Sequence, residues 1–270
     1  MAVAHARAYH QVADEPRVFC DPFAVRILGE PVLSEMEFDL GLDPDLVRER
    51  RLFIAARSRF ADDTVAAAIA RGIDQVVILG AGLDTTACRH VGAGVRFFEV
   101  DHPNTQTWKR RRLSEAGITV PASLAFVPID FENLSLAAGL AGAGLDRSRG
   151  AVYIWLGVAV YLTRSSVDGT LRYIASHGKS ELVFDYFYPV TSTPNDPTAT
   201  QLQARANRVA AAGEPWISFF TADEIRDSLL SHSYAHVEDR SATELLMLYG
   251  VQTGNRARDS GPHLVYARTA

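Results

Sequence analysis

A chain of 270 residues with 47% hydrophobic side chains has enough apolar material for one large domain with a sizeable core. Its 27 basic and 32 acidic residues are mixed along the chain and leave a formal charge of -5, so no long electropositive surface is encoded and no nucleic-acid partner is expected. No run of about 18 uncharged apolar residues occurs, and the opening MAVAHARAYHQVADEP lacks the apolar core of a signal peptide, so the expectation is a cytoplasmic protein with no membrane association.

Residues 1–72 differ from the rest. Leu46 to Ala70 reads as a charged helix with Phe53, Ile54, Phe60, Val65 and Ile69 on its buried side, and helices placed here, ahead of the sheet, are expected to form a lid. Residues 73–185 carry short β-rich runs at Gln75–Leu79, Val95–Val100, Leu124–Ile129, Ala151–Trp155 and Glu181–Asp185. Near-continuous apolar runs of this length suit strands buried on both faces of a parallel sheet, and their alternation with helical segments predicts an α/β fold. Ser165 or Ser166 is expected to cap a helix running to His177, with Val167, Leu171 and Ile174 on one face and Gly178 as the stop. Residues 186–220, which include PVTSTPNDPTAT, read as a variable insertion or mobile loop. In residues 221–270, Thr221-Ala-Asp-Glu224 has the spacing of a capping box, and the runs Leu245–Gly250 and His263–Arg268 predict a closing antiparallel hairpin. Cys20 and Cys88 have neither metal-site nor paired spacing and read as free buried thiols.

The stretch Gln75-Val-Val-Ile-Leu-Gly-Ala-Gly-Leu-Asp-Thr-Thr86 raises the functional question. If its apolar half is the first strand, Gly80-Ala81-Gly82 is the turn into the next helix, where missing Cβ atoms let backbone N–H groups approach a ligand. An ordinary tight turn is the alternative. A dinucleotide fingerprint requires a third glycine at position 85, and Thr85 stands there, which weakens a nicotinamide reading. Asp101 ends the second strand in FFEVD, where an acid bridges ribose hydroxyls, with a helix cap as its alternative. Asp130 ends the third in FVPID, where an acid can accept from an adenine amino group. Glycine, acid and acid at three consecutive strand ends line the edge at which open α/β sheets bind ligands, and together they favour an adenosyl cofactor.

At these residues the chain resembles the leucine carboxyl methyltransferase family of S-adenosylmethionine-dependent enzymes, in its bacterial O-methyltransferase branch. The similarity covers most of the chain and rests on RSRFADD (57–63), VILGAGLDTT (77–86), FEVDHP (98–103), VAVYLT (158–163) and EPW (214–216). It implies a class I methyltransferase fold, a Rossmann-like sheet of about seven strands with helices on both faces, and S-adenosyl-L-methionine as cofactor. It further implies that Arg57 pairs with the methionine carboxylate, that Gly80, Ala81 and Gly82 give backbone contacts, and that Asp84 organises the turn. Asp101, with His102 beside it, is implied to hold the ribose, and Asp130 with Phe131 the adenine. Tyr161 stands where the family approaches the methyl group and is the catalytic candidate. Leu156, also on the cofactor side, occupies a position where the family often has a glutamate, so a polar contact at the reaction centre is absent.

Methyl transfer from a sulfonium is an in-line displacement that works largely by positioning and needs no covalent nucleophile. A carboxylic acid with pKa about 4 is already ionised at neutral pH, whereas a phenol near 10 needs a base. No base motif is evident, and His102 reads as a helix cap. His232 and His236 have metal-compatible spacing only on a helix and read as surface residues, so no metal is expected. Lys109-Arg-Arg-Arg112 reads as a solvated helix face. The expected protein is a monomeric or homodimeric O-methyltransferase of secondary metabolism, acting on a carboxylate or hydroxyl of a small natural product or a peptide terminus. A nicotinamide oxidoreductase and a non-catalytic cofactor-binding protein are the rivals.

Overall fold

The computed structural model describes residues 1–29, 39–92, 94–130, 134–189, 197–253 and 260–270. Phe131 therefore lies outside the described residues. Seven strands form one sheet: β1 (Gln75–Leu79), β2 (Arg96–Asp101), β3 (Leu124–Pro128), β4 (Ala151–Trp155), β5 (Ser180–Phe187), β6 (Tyr234–Ser241) and β7 (Pro262–Thr269). Their order is β3-β2-β1-β4-β5-β7-β6, with β1 to β5 parallel and β7 antiparallel to both of its neighbours. Strand order reverses between β1 and β4, so the turn leaving β1 sits at the topological switch point.

All five β1 residues are buried because each face has its own helical layer. Val76 and Ile78 pack with Leu52, Phe53 and Val65 of α3 (Pro44–Ala70) and with Leu245 and Leu246 of α10 (Ala242–Leu248). Val77 and Leu79 point the other way, into a core with Leu140 of α6 (Leu136–Gly142), Leu171 and Ile174 of α7 (Arg164–Ala175), and Leu229 of α9 (Ala222–Ser231). A third cluster joins α1 (Ala2–Ala13), α2 (Ala24–Leu28) and α5 (Pro103–Glu115), while α4 (Thr86–Arg89) is a single turn after the glycines. Asp43 caps α3 by accepting from the Asp45 and Leu46 amides, and Pro44 occupies the first helical position. No helix among the described residues is long and apolar enough to cross a membrane.

Several local expectations are corrected. The cap of α7 is Thr163, which accepts from the Ser166 amide; the helix ends at Ala175, and the left-handed residue beyond it is Lys179 (φ +54°), not Gly178. Residues 186–220 hold the helix α8 (Pro197–Ala211) in addition to loop. Leu245–Leu248 is helical, because Ser241 and Glu244 form a second capping box that opens α10; β7 pairs antiparallel with β5 and β6 instead. Lys109 is not on a solvated face: it is 2% exposed and paired with Glu99 on the neighbouring strand. Cys20 is exposed, whereas Cys88 is buried with its thiol pushed up to about 11 chiefly by that burial.

Candidate active site

Gly80 and Gly82 have φ of +64° and +45°, which L side chains rarely adopt. A Cβ at Gly80 would lie 2.4 Å from Val158 Cγ2, so a bare backbone is required for β1 to pass the segment after β4. A Cβ at Gly82 would meet nothing within 4 Å, which leaves open space against the backbone there. The amides of the turn are already used: Gly80 and Ala81 donate to Val100 O at 2.8 and 3.1 Å, and Gly82 donates to Asp101 Oδ2 at 2.6 Å. The turn therefore offers close approach rather than free donors, which corrects the expectation of exposed N–H groups.

Asp84 shapes the turn from within, its Oδ1 accepting from the Thr86 amide at 2.7 Å. Burial pushes its carboxyl upward, but Arg89, Lys109, Arg7 and that amide outweigh burial and hold it below the ordinary value. Thr85, standing where a dinucleotide site has glycine, is buried and donates its hydroxyl to Asp21 Oδ2 at 2.6 Å. Asp21 also pairs with Arg7 of α1 and Arg89 of α4, and Arg7 donates to Leu83 O at 2.7 Å. The N-terminal helices are thus pinned to the turn by charge-assisted bonds.

Asp101 accepts from Gly82 N and from its own neighbour His102 N at 2.7 Å, so it both organises the turn and stands half-buried beside the open space. His102 is exposed, and its Nδ1 accepts from Asn104 N, which makes it the cap of α5. Asp130 lies two residues beyond β3, half-buried, and the preceding Ile129 amide donates to Asp101 O at 2.9 Å. The glycine turn, Asp101 and Asp130 thereby meet at three adjacent strand tips.

Arg57, in the middle of α3, is 4% exposed and donates through Nη1 to Asp185 near the end of β5. Asp185 Oδ1 also accepts from Gly157 N at 2.5 Å, and a Cβ at Gly157 would lie 3.0 Å from Arg57 Nη2, so glycine admits the guanidinium. Arg57 Nε is buried without a hydrogen-bond partner. Sequence reading missed Asp185; an acid inside the apolar run LVFDYF is the signal that marks it.

A cavity of about 410 Å³ opens beyond Arg57, walled by Phe53, Gly157, Tyr161, Phe187 and Trp216 among others. Of the described candidate residues only Arg57 and Tyr161 line it; the turn, Asp101 and Asp130 are not part of its wall. Tyr161 ends a 3-10 turn (Ala159–Tyr161). Burial raises its hydroxyl above the ordinary value, while a hydrogen bond with Trp216 and the charges of Arg57 and Arg205 oppose the rise. Leu156 is half-buried and packs against the core on the α3 side of the sheet, away from the cavity wall. His232 ends α9 and bonds Asp168, whereas His236 is on β6 and bonds Glu238, so the two share no element.

A family model described as leucine carboxyl methyltransferase matches residues 1–175. The candidate S-adenosyl-L-methionine-dependent methyltransferase YktD of Bacillus subtilis (strain 168) is 31% identical over 270 aligned residues, covering 90% of this chain and 88% of that protein. A protein of the same description from Mycolicibacterium paratuberculosis is 30% identical, with 98% and 91% covered. Among solved structures, a DUF574 family protein from Streptomyces avermitilis superposes with a TM-score of 0.60 at 15% identity, over 99% of this chain and 97% of that one. The magnesium protoporphyrin IX methyltransferase of Synechocystis, solved with bound S-adenosylhomocysteine, gives 0.51 at 13% identity over 91% and 92%. At these identities the structural likeness speaks to the fold.

Proposed function

The chain belongs to the leucine carboxyl methyltransferase family, and from that premise we propose that this S-adenosylmethionine-dependent methyltransferase transfers its methyl group to oxygen, the acceptor being a carboxylate of a small natural product or peptide terminus. The site fits the cofactor on its own chemistry. Gly82 leaves room against the backbone, Asp101 presents a carboxylate beside that room, and the orphaned Nε of Arg57 is a buried donor of the kind a carboxylate satisfies. Asp101 would hold the ribose, Asp130 the adenine and Arg57 the amino-acid carboxylate. When bound, the cofactor supplies an electrophilic methyl group on a sulfonium.

The chain's own part is positioning. Gly157 and Tyr161 line the cavity where it meets Arg57, and positioning of an acceptor is the kind of effect that lowers a barrier by up to about 7 to 11 kcal/mol. The observation that carries the choice of acceptor is the make-up of the cavity wall beside Tyr161. The described cavity wall has no histidine or lysine side chain, and its glutamates, Glu49 and Glu214, are weak bases. Ionising a phenol there would cost about 4 kcal/mol at neutral pH, whereas a carboxylic acid arrives ionised. The nicotinamide alternative is set aside by the family and by Thr85, whose hydroxyl is committed to Asp21.

Incubation with methyl-labelled cofactor and a small-molecule extract tests this reading. The expected product carries label that mild base releases as methanol, the behaviour of a methyl ester. Base-stable label would assign a different acceptor atom, and absence of labelled product with cofactor still bound would leave a binding protein.

A further inference from the structure

Three arginines reach the cavity wall, and they are unequally met. Arg57 has Asp185 to itself, but Arg50 of α3 and Arg205 of α8 share one carboxylate. Arg50 Nη2 donates to Asp39 Oδ2 at 2.7 Å, and Arg205 Nη1 donates to Asp39 Oδ1. Asp39 and Arg205 are 4% and 8% exposed, so little bulk water screens the second positive charge. Arg50 Nε is buried without a hydrogen-bond partner. Burial and the neighbouring Arg205 push Arg50 down to about 10, the direction expected of a cation with too little negative charge around it. Glu49 and Glu214 also reach the wall, Glu214 at an exposed position, yet the polar contacts of both arginines run to Asp39. Much of the remaining wall is apolar, including Phe53, Leu202 and Val209, with the Phe187 and Trp216 rings tilted against each other at a centroid distance of 4.8 Å.

We propose that Arg50 and Arg205 form an anion-anchoring subsite, and that the acceptor is a small, otherwise apolar molecule with an acidic group distinct from the oxygen that is methylated. The assignment of the reacting oxygen rests on the methyltransferase reading above; the anchor itself does not. A volume of about 410 Å³ is in the range that encloses one small ligand, with apolar wall for its body and few polar groups to orient it. Separating the two groups follows from transition-state logic. An arginine pair on the attacking oxygen would favour the ground state, because that oxygen gives up its negative charge as the new bond forms. On a group that keeps its charge, the same pair binds equally throughout and fixes orientation. A diacid esterified at one end is the simplest acceptor of this kind.

The test is binding of 4-phenylbutyrate against its neutral amide, followed by calorimetry and by tryptophan fluorescence, since Trp216 lines the cavity. The native protein is expected to prefer the carboxylate by about tenfold, and Arg50→Gln and Arg205→Gln each to reduce that preference to about threefold or less. Asp39→Asn, which removes the internal competitor, is expected to tighten carboxylate binding by about threefold or more. This opposite sign separates an anchor from general damage to the cavity. Absence of preference in the native protein, a preference that survives both arginine substitutions, or weaker binding in Asp39→Asn would overturn the subsite. Cofactor binding measured on the same samples reports separately: its absence in native protein would sink the methyl-transfer reading and leave the anchor result standing.

Discussion

Glu99 and Lys109 meet close to Asp84 as a buried ion pair, Lys109 Nζ donating to Glu99 Oε2 at 2.5 Å with the side chains 2% and 1% exposed. Burial pushes the Glu99 carboxyl up to about 7 against the pull of Lys109. Lys109→Met would strand that carboxylate, at an expected cost of about 3 to 5 kcal/mol in denaturant unfolding near pH 7.5, while adding Glu99→Gln should recover most of it. A group whose folded pKa lies above its unfolded value loses stability as pH rises between the two. The deficit of Lys109→Met should therefore shrink from pH 8 toward pH 5. A single variant as stable as the native protein would contradict this. The pair was half legible in the sequence. Glu99 inside FFEVD, on a strand buried on both faces, demands a partner, but nothing in the KRRR run shows which of its members turns inward.

Among the elements, α1 is fastened to α3 by an acid at its C-terminal end. Asp14 accepts from Arg51 Nε and Nη2 at 2.7 and 2.9 Å and pairs with His10 at 3.0 Å, whose Nε2 accepts from the Val18 amide. Burial opposes ionisation of Asp14, but the bonds from Arg51 and His10 prevail and bring it from 3.8 down to about 2. Its folded pKa being depressed, the contribution is present above about pH 4 and lost as pH falls toward 2, amounting to about 2 kcal/mol. The protection factors of the α1 amides, exchange rates referred to the intrinsic rate at each pH, should fall over that window, and Asp14→Asn should abolish the dependence; equal protection at pH 5 and pH 2.5 would refute it. Elements were legible where a local signal was unambiguous, as with Thr221 and Glu224 opening α9. Leu245–Gly250 was not, because a six-residue apolar run suits strand or helix, and the deciding Ser241–Glu244 box lies just upstream of it. Of the two strands that pair with β7, the edge strand β6 reads YAHVEDRS and carries no apolar run, as befits the edge of a sheet.

For the whole molecule, the parallel half of the sheet could be read from sequence because strands covered on both faces must be continuously apolar, and the edge proposed for the ligand is marked there by glycine and acid at consecutive strand ends. The cavity could not. Its wall draws on Arg50, Arg57, Tyr161, Arg205 and Trp216, which only the docking of α3, α8 and the 157–161 segment brings together. Thr85 likewise had a visible identity and an invisible partner, Asp21, 64 residues away. The division is physical: local chemistry marks the edge proposed for the cofactor, and long-range packing sets what faces it. A crystal structure of the complex with S-adenosylhomocysteine examines this most directly. The adenosine is expected against Gly82 with its ribose hydroxyls within about 3.2 Å of Asp101, its adenine toward Asp130 and its carboxylate at Arg57. A ligand seated elsewhere, or one that leaves Asp101 bonded to nothing beyond the Gly82 and His102 amides, would contradict the account.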